Sequence, residues 1–97
     1  MDQKIRKQIA GMNYAYWHYP FDYFLESMNR IGLENIEIWG GSPHFYIGDF
    51  NNAQIKALRR SIEDHQLKLI CYTPEQVNYP VNIAAKEDGI RARSVDY

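Results

Sequence analysis

The sequence predicts an α/β protein in which parallel strands alternate with crossover helices, and three observations carry that prediction. Short apolar runs begin at Ile9, Ile36 and Leu69, about 30 positions apart, which is the length of one strand–helix–strand unit. Segments with helical periodicity fill the spaces between them. None of the three runs alternates strictly between apolar and polar residues, the pattern expected of strands covered on both faces.

Taken in order, Ile9-Ala10-Gly11-Met12-Asn13-Tyr14 reads as the first strand. An aromatic loop follows, Ala15-Tyr16-Trp17-His18-Tyr19-Pro20, with Pro20 placed to open a helix. Phe21, Phe24, Leu25, Met28 and Ile31 then recur at offsets of three and four, one face of a helix that stops at Gly32. Asp22 and Glu26 near its start and Arg30 near its end complement the helix dipole. The second strand is Ile36-Glu37-Ile38-Trp39. It breaks at Gly40-Gly41 and delivers Ser42-Pro43-His44 to a loop that runs to Phe50.

Asp49, Asn51 or Asn52 caps the next helix, in which Ile55, Leu58 and Ile62 form the buried stripe. Leu67 to Tyr72 is the third strand, and residues 73–82 form a second long loop. A third helix starts between Ala84 and Asp88, weakened by Gly89. The order is therefore β-α-β-α-β-α, with residues 1–8 as an N-terminal extension and residues 9–97 as the α/β unit. Strands connected this way lie parallel with right-handed crossovers.

Composition bounds the function. Ninety-seven residues with 45% hydrophobic content describe one globular domain, and a net charge of −1 offers no electrostatic footprint for nucleic acid or an anionic membrane. Aromatics reach 14% and crowd into the loops, as the wall of a site does. Cys71 is the single cysteine, which points to a reducing compartment. The N-terminus has no signal-peptide pattern and no run approaches a membrane span, so a cytoplasmic protein is expected. A three-stranded parallel sheet leaves apolar faces uncovered, the last residues continue a helical pattern, and a complete eight-unit barrel takes about 250 residues. The expectation is thus the first three βα units of a (β/α)8 TIM barrel, incomplete as it stands.

At this point the motifs resemble a known family. Ile36-Glu37-Ile38-Trp39-Gly40-Gly41 with Pro43-His44, then Tyr72-Thr73-Pro74-Glu75, Asn78-Tyr79-Pro80 and Asn82, are similar to the xylose-isomerase-like sugar isomerases and epimerases, in particular the fructoselysine 3-epimerase branch. The likeness covers residues 9–97, about the first third of such an enzyme. Ser42 stands where that branch commonly has Arg, and the loop at residues 14–20 is more aromatic.

The resemblance implies a divalent metal at the C-terminal mouth of the barrel and epimerisation at C3 of a ketose or fructosamine-type sugar through an enediolate. It places the metal ligands, two Glu with an Asp and a His, on later strands. No catalytic or metal residue is therefore assigned here, and the chain alone is not expected to be active. The expected partners are a sugar or amino-sugar-type small molecule and either the remainder of the barrel or further copies of the chain.

Candidate substrate-contacting residues sit where strands end, because chemistry gathers there in α/β folds. Alternation sends Glu37 and Trp39 to the face opposite Ile36 and Ile38, the barrel interior. Glu37 either orients the site or forms a structural ion pair with a barrel Lys or Arg. His44 offers a hydrogen bond to a sugar hydroxyl, and Glu75 to a hydroxyl or a substrate ammonium; both are otherwise turn residues. Tyr72, Tyr79 and Asn82 are assigned to the pocket wall, with Asn82 alternatively a helix cap. Trp17 either covers the apolar carbons of a sugar or packs the rim. His65 fits a helix C-terminus, and Cys71 fits inert packing.

Two other classes stand beside this reading. One is a naturally shortened, non-catalytic chain that self-associates through open sheet edges. The other is the endonuclease IV-like branch of the same superfamily, which the lack of a basic surface opposes.

Overall fold

A computed structural model of the chain describes residues 2–76 and 80–97. A short helix α1 (Gln3–Arg6) precedes strand β1 (Ala10–Met12) and a 3-10 turn over Asn13–Tyr16. Helix α2 (Phe21–Ile31), strand β2 (Asn35–Gly40), helix α3 (Asn52–Asp64), strand β3 (Lys68–Pro74) and helix α4 (Asp88–Asp96) follow. The strands form one sheet in the order β1-β2-β3 with both pairs parallel. Consecutive parallel neighbours joined by helices are what successive βα units of a barrel produce. The fold is α/β, as the spacing of the apolar runs predicts.

The helix ends show why the chain turns where it does. Pro20 sits just before α2 and its carbonyl accepts the Tyr23 N–H at 3.0 Å. At the other end Gly32 takes φ +78°, and the Leu33 N–H reaches back to the Met28 carbonyl, a Schellman closure that needs a residue tolerant of the left-handed region. Of the three candidate caps for α3, Asn51 is the one used. Its side chain accepts the Gln54 N–H and the Gln54 side chain accepts the Asn51 N–H, both at 2.9 Å. No glycine ends α3; Gln66 adopts φ +57° instead, at a cost of roughly 1–2 kcal/mol.

One core holds the unit together. Phe24, Leu25 and Met28 of α2 bury their side chains against Ile36 and Ile38 of β2, with Ile62 of α3 joining the cluster. The sequence-based stripe on α3 holds only in part. Ile62 is buried and Leu58 partly so, but Ile55 is 39% exposed. The reason is an open apolar groove of about 650 Å³ between α3 and β3, lined by Ile55, Leu58, Leu67, Leu69 and Tyr72 among others.

Helix α4 contributes no lining residue to this groove. It is tied instead to the loop after β3, through Arg93 to the Pro80 carbonyl at 3.0 Å and Ser94 to the Asn82 N–H at 2.6 Å. Strand β3 accordingly remains solvent-exposed over Lys68 to Cys71, and it is not covered on both faces as its composition leads one to expect. Ile70 is the extra residue of a bulge opposite Ile36 and Glu37.

The first residues also engage the sheet. The Asn35 side chain donates to the Lys7 carbonyl at 3.2 Å. No helix among the described residues is long and apolar enough to cross a membrane.

Candidate functional site at the strand ends

The parallel register places Ile38 beside Tyr72 and Trp39 beside Thr73. Because side chains alternate, Ile36, Ile38 and Tyr72 face the helices, whereas Glu37, Trp39 and Thr73 face the other side. Two cross-strand rungs form on that second face. The Thr73 hydroxyl donates to the Glu37 carboxylate at 2.5 Å, and one step further the Trp39 indole N–H donates to the Glu75 carboxylate at 2.6 Å. Trp39 and Glu75 are both buried, and Glu37 is half-buried. Among the described residues Glu37 has no Lys or Arg partner; its contact is the Thr73 hydroxyl.

Aromatic rings close over the upper rung. Tyr14 and Trp17 meet Trp39 edge-on, with ring centres at 5.0 and 5.6 Å, and stack on one another at 6.1 Å. His18 lies against Trp17. A Cβ built on Gly41 would fall 2.1 Å from the Trp39 ring, so only glycine lets the indole lie across the chain there. Flat aromatic faces beside carboxylates are suited to a polyol. Rings cover C–H surfaces while carboxylate oxygens accept from hydroxyls.

A residue outside the sequence-based candidates anchors this arrangement. Asn13 is fully buried at the end of β1. Its side-chain oxygen accepts the Trp39 N–H at 2.6 Å, and its amide donates to the Trp39 carbonyl at 3.2 Å and faces His44 Nδ1 at 3.1 Å. The signal available in the sequence was one amide at the end of an otherwise apolar strand.

The remaining candidates lie elsewhere. His44 is buried with both ring nitrogens engaged, Nδ1 by Asn13 and Nε2 by the Tyr19 carbonyl at 2.5 Å, so in this arrangement neither nitrogen faces an open site. Tyr72 lies within β3 but does not line the site expected of it. It turns to the helix side, edge-on to Phe45 at 5.6 Å, with its hydroxyl donating to the Phe45 carbonyl. Asn82 accepts the Ala84 N–H at 2.9 Å in a local turn ahead of α4, whose own first residue is Asp88. Tyr79 lies outside the described residues, as does Asn78. The Tyr97 hydroxyl donates to the Glu75 carbonyl at 2.6 Å, bringing α4 to the rim of the site. His65 bonds the Ser61 carbonyl at the end of α3, in keeping with a helix-terminal role.

Among the described residues no three histidine, cysteine or acidic side chains converge as a metal cage would require. These residues therefore do not fit a metal centre of their own.

Comparison with known proteins places this geometry in context. The chain is 32% identical over 77 residues to fructoselysine 3-epimerase of Escherichia coli O157:H7, and to the same extent to fructoselysine 3-epimerase of Shigella flexneri. Each match covers 79% of this chain and 28% of the relative, so the chain spans less than a third of the length of the curated relatives it matches. No family model and no solved structure matches.

Proposed function

We propose that this chain is the N-terminal section of a sugar isomerase/epimerase barrel that inverts C3 of a ketose or fructosamine-type sugar such as fructoselysine. The observation that carries the proposal is the likeness to fructoselysine 3-epimerases over 77 residues. The strand-end carboxylates and aromatic rings on one face of a parallel sheet support it.

Epimerisation beside a carbonyl removes a proton from one face of a carbon and returns one to the other, so it needs two proton-handling groups on opposite sides. Within the proposal this chain supplies neither. Glu37 and Glu75 accept from hydroxyls, and Trp17, Tyr14 and Trp39 cover the carbon skeleton and exclude water. The divalent metal that such chemistry uses belongs, in this reading, to strands beyond these three. The chain by itself is then a binding wall without the reacting groups.

The test is to combine this chain with the part of the Escherichia coli relative that lies outside the matched segment, in the presence of divalent metal. Fructoselysine epimerisation with solvent deuterium entering at C3 is the expected outcome. A complex that forms and folds without that exchange contradicts the proposal.

The open groove between α3 and β3 favours a second reading, a non-catalytic chain that covers this face with another copy of itself. A defined, cooperatively melting oligomer without metal is what that reading requires, and a monomer at all concentrations removes it.

A further inference from the structure

We propose that His44 is a positioning residue that holds the aromatic wall in place, and that it does so only as the neutral imidazole carrying its proton on Nε2. The inference rests on the reading above that Tyr14, Trp17 and Trp39 face the substrate.

The tautomer follows from the partners. Asn13 cannot turn its amide over, because its oxygen accepts the Trp39 N–H at 2.6 Å while its nitrogen donates to the Trp39 carbonyl at 3.2 Å. Its NH2 group therefore faces His44 Nδ1, which must accept. Nε2 lies 2.5 Å from the Tyr19 carbonyl and must donate. One ring thus connects the end of β1, the end of β2 and the loop that carries Tyr14 and Trp17. Tyr19 transmits the tether, since its N–H closes a turn on the Tyr16 carbonyl at 2.8 Å.

The groups that contact the ring are neutral: Asn13 just after β1, the Tyr19 carbonyl in the aromatic loop and the Phe21 ring of α2 at 5.5 Å. Among the described residues no charged side chain pairs with it. Adding a proton at Nδ1 would set an N–H donor against the fixed Asn13 NH2. The latch then opens on the strand side, and the wall loses its alignment with Trp39.

Long-range 1H–15N spectra of the labelled chain test this without any sugar or metal. At neutral pH the His44 ring is expected to show Nδ1 as the unprotonated nitrogen and Nε2 as the protonated one. On acidification the amides of residues 14–19 are expected to shift together with the His44 ring. In His44→Gln the side-chain amide replaces Nε2–H without titrating, so the loop amides are expected to keep their neutral-pH positions and lose the acid transition. His44→Asn retains an acceptor for Asn13 but lacks the reach to Tyr19, so its loop amides are expected at shifted positions at every pH.

A proton on Nδ1 at neutral pH, or loop amides that ignore His44 protonation, would overturn the proposal. So would a His44→Asn chain with wild-type loop shifts. Because the readout is spectroscopic, an inactive epimerase assembly would count against the sugar reading while leaving this result intact.

Discussion

The two sides of β2 are finished differently. Toward β1, the strand end is closed by a hydrogen-bond network within the chain: Asn13 holds both backbone groups of Trp39, and His44 and Tyr19 complete the network. Toward the outer face of β3, apolar side chains line a groove that nothing in the described chain covers, and Leu69 and Ile70 are 43% and 53% exposed. Yet the same strand contributes Thr73 and leads into Glu75 at the site. The contrast teaches that a strand end can be organised for binding while the strand's flank still awaits a packing surface. Local hydrogen bonds suffice for the first, whereas the second requires apolar area that only a further element supplies.

The largest effect should come from the shared core. Phe24→Ala empties a fully buried site under β2 and should cost about 3–5 kcal/mol, enough in a chain of this size to erase a cooperative urea transition. Retention of a sharp transition would mean that the two sides do not depend on one core.

Asn13→Ala sharpens the comparison on the closed side. It leaves the Trp39 N–H and carbonyl without partners, at about 2–3 kcal/mol by chemical denaturation, with the loss centred on the aromatic loop. Trp39→Phe keeps an aromatic ring but removes the N–H that Glu75 accepts, and about 1.5–3 kcal/mol is expected for that charge-assisted bond. Leu69→Ala should be nearly silent in the chain alone, within about 0.5 kcal/mol, because the residue is exposed. Once the groove is covered, the same substitution should cost about 2 kcal/mol or more. Equal effects in both states would break the distinction between the sides.

Much of the fold was legible because periodicity records burial. The α2 face from Phe24 to Met28, the Gly32 stop and the order of the three strands follow from the sequence pattern, and the structure reproduces them. Ile31, however, is 54% exposed, and the first strand is only Ala10–Met12 because Asn13 and Tyr14 already belong to the 3-10 turn. Ile55 misled because an apolar stripe states which face a helix would bury, not whether the covering element is present. The end of α3 was harder to read because Gln66 does the work usually given to glycine.

At the site, alternation correctly put Glu37 and Trp39 on one face opposite Ile36 and Ile38. Strict alternation from Leu67 and Leu69 sends Tyr72 to the site face; the extra residue Ile70 shifts the parity, so Tyr72 pairs with Ile38 and faces the helices instead. Asn13 escaped notice because an amide within an apolar run carries no motif. Only three-dimensional neighbours reveal that it fills the hydrogen-bonding needs of another strand.

Amide hydrogen exchange across β2 and β3, with the chain alone and with the complementary part of the relative added, is the most direct test of the difference between the two sides of β2. The amides of residues 36–39 are expected to exchange slowly in both states, and those of residues 68–71 to exchange fast alone and become protected on assembly. Equal protection of both strands in the isolated chain, unchanged by the added partner, would contradict that difference.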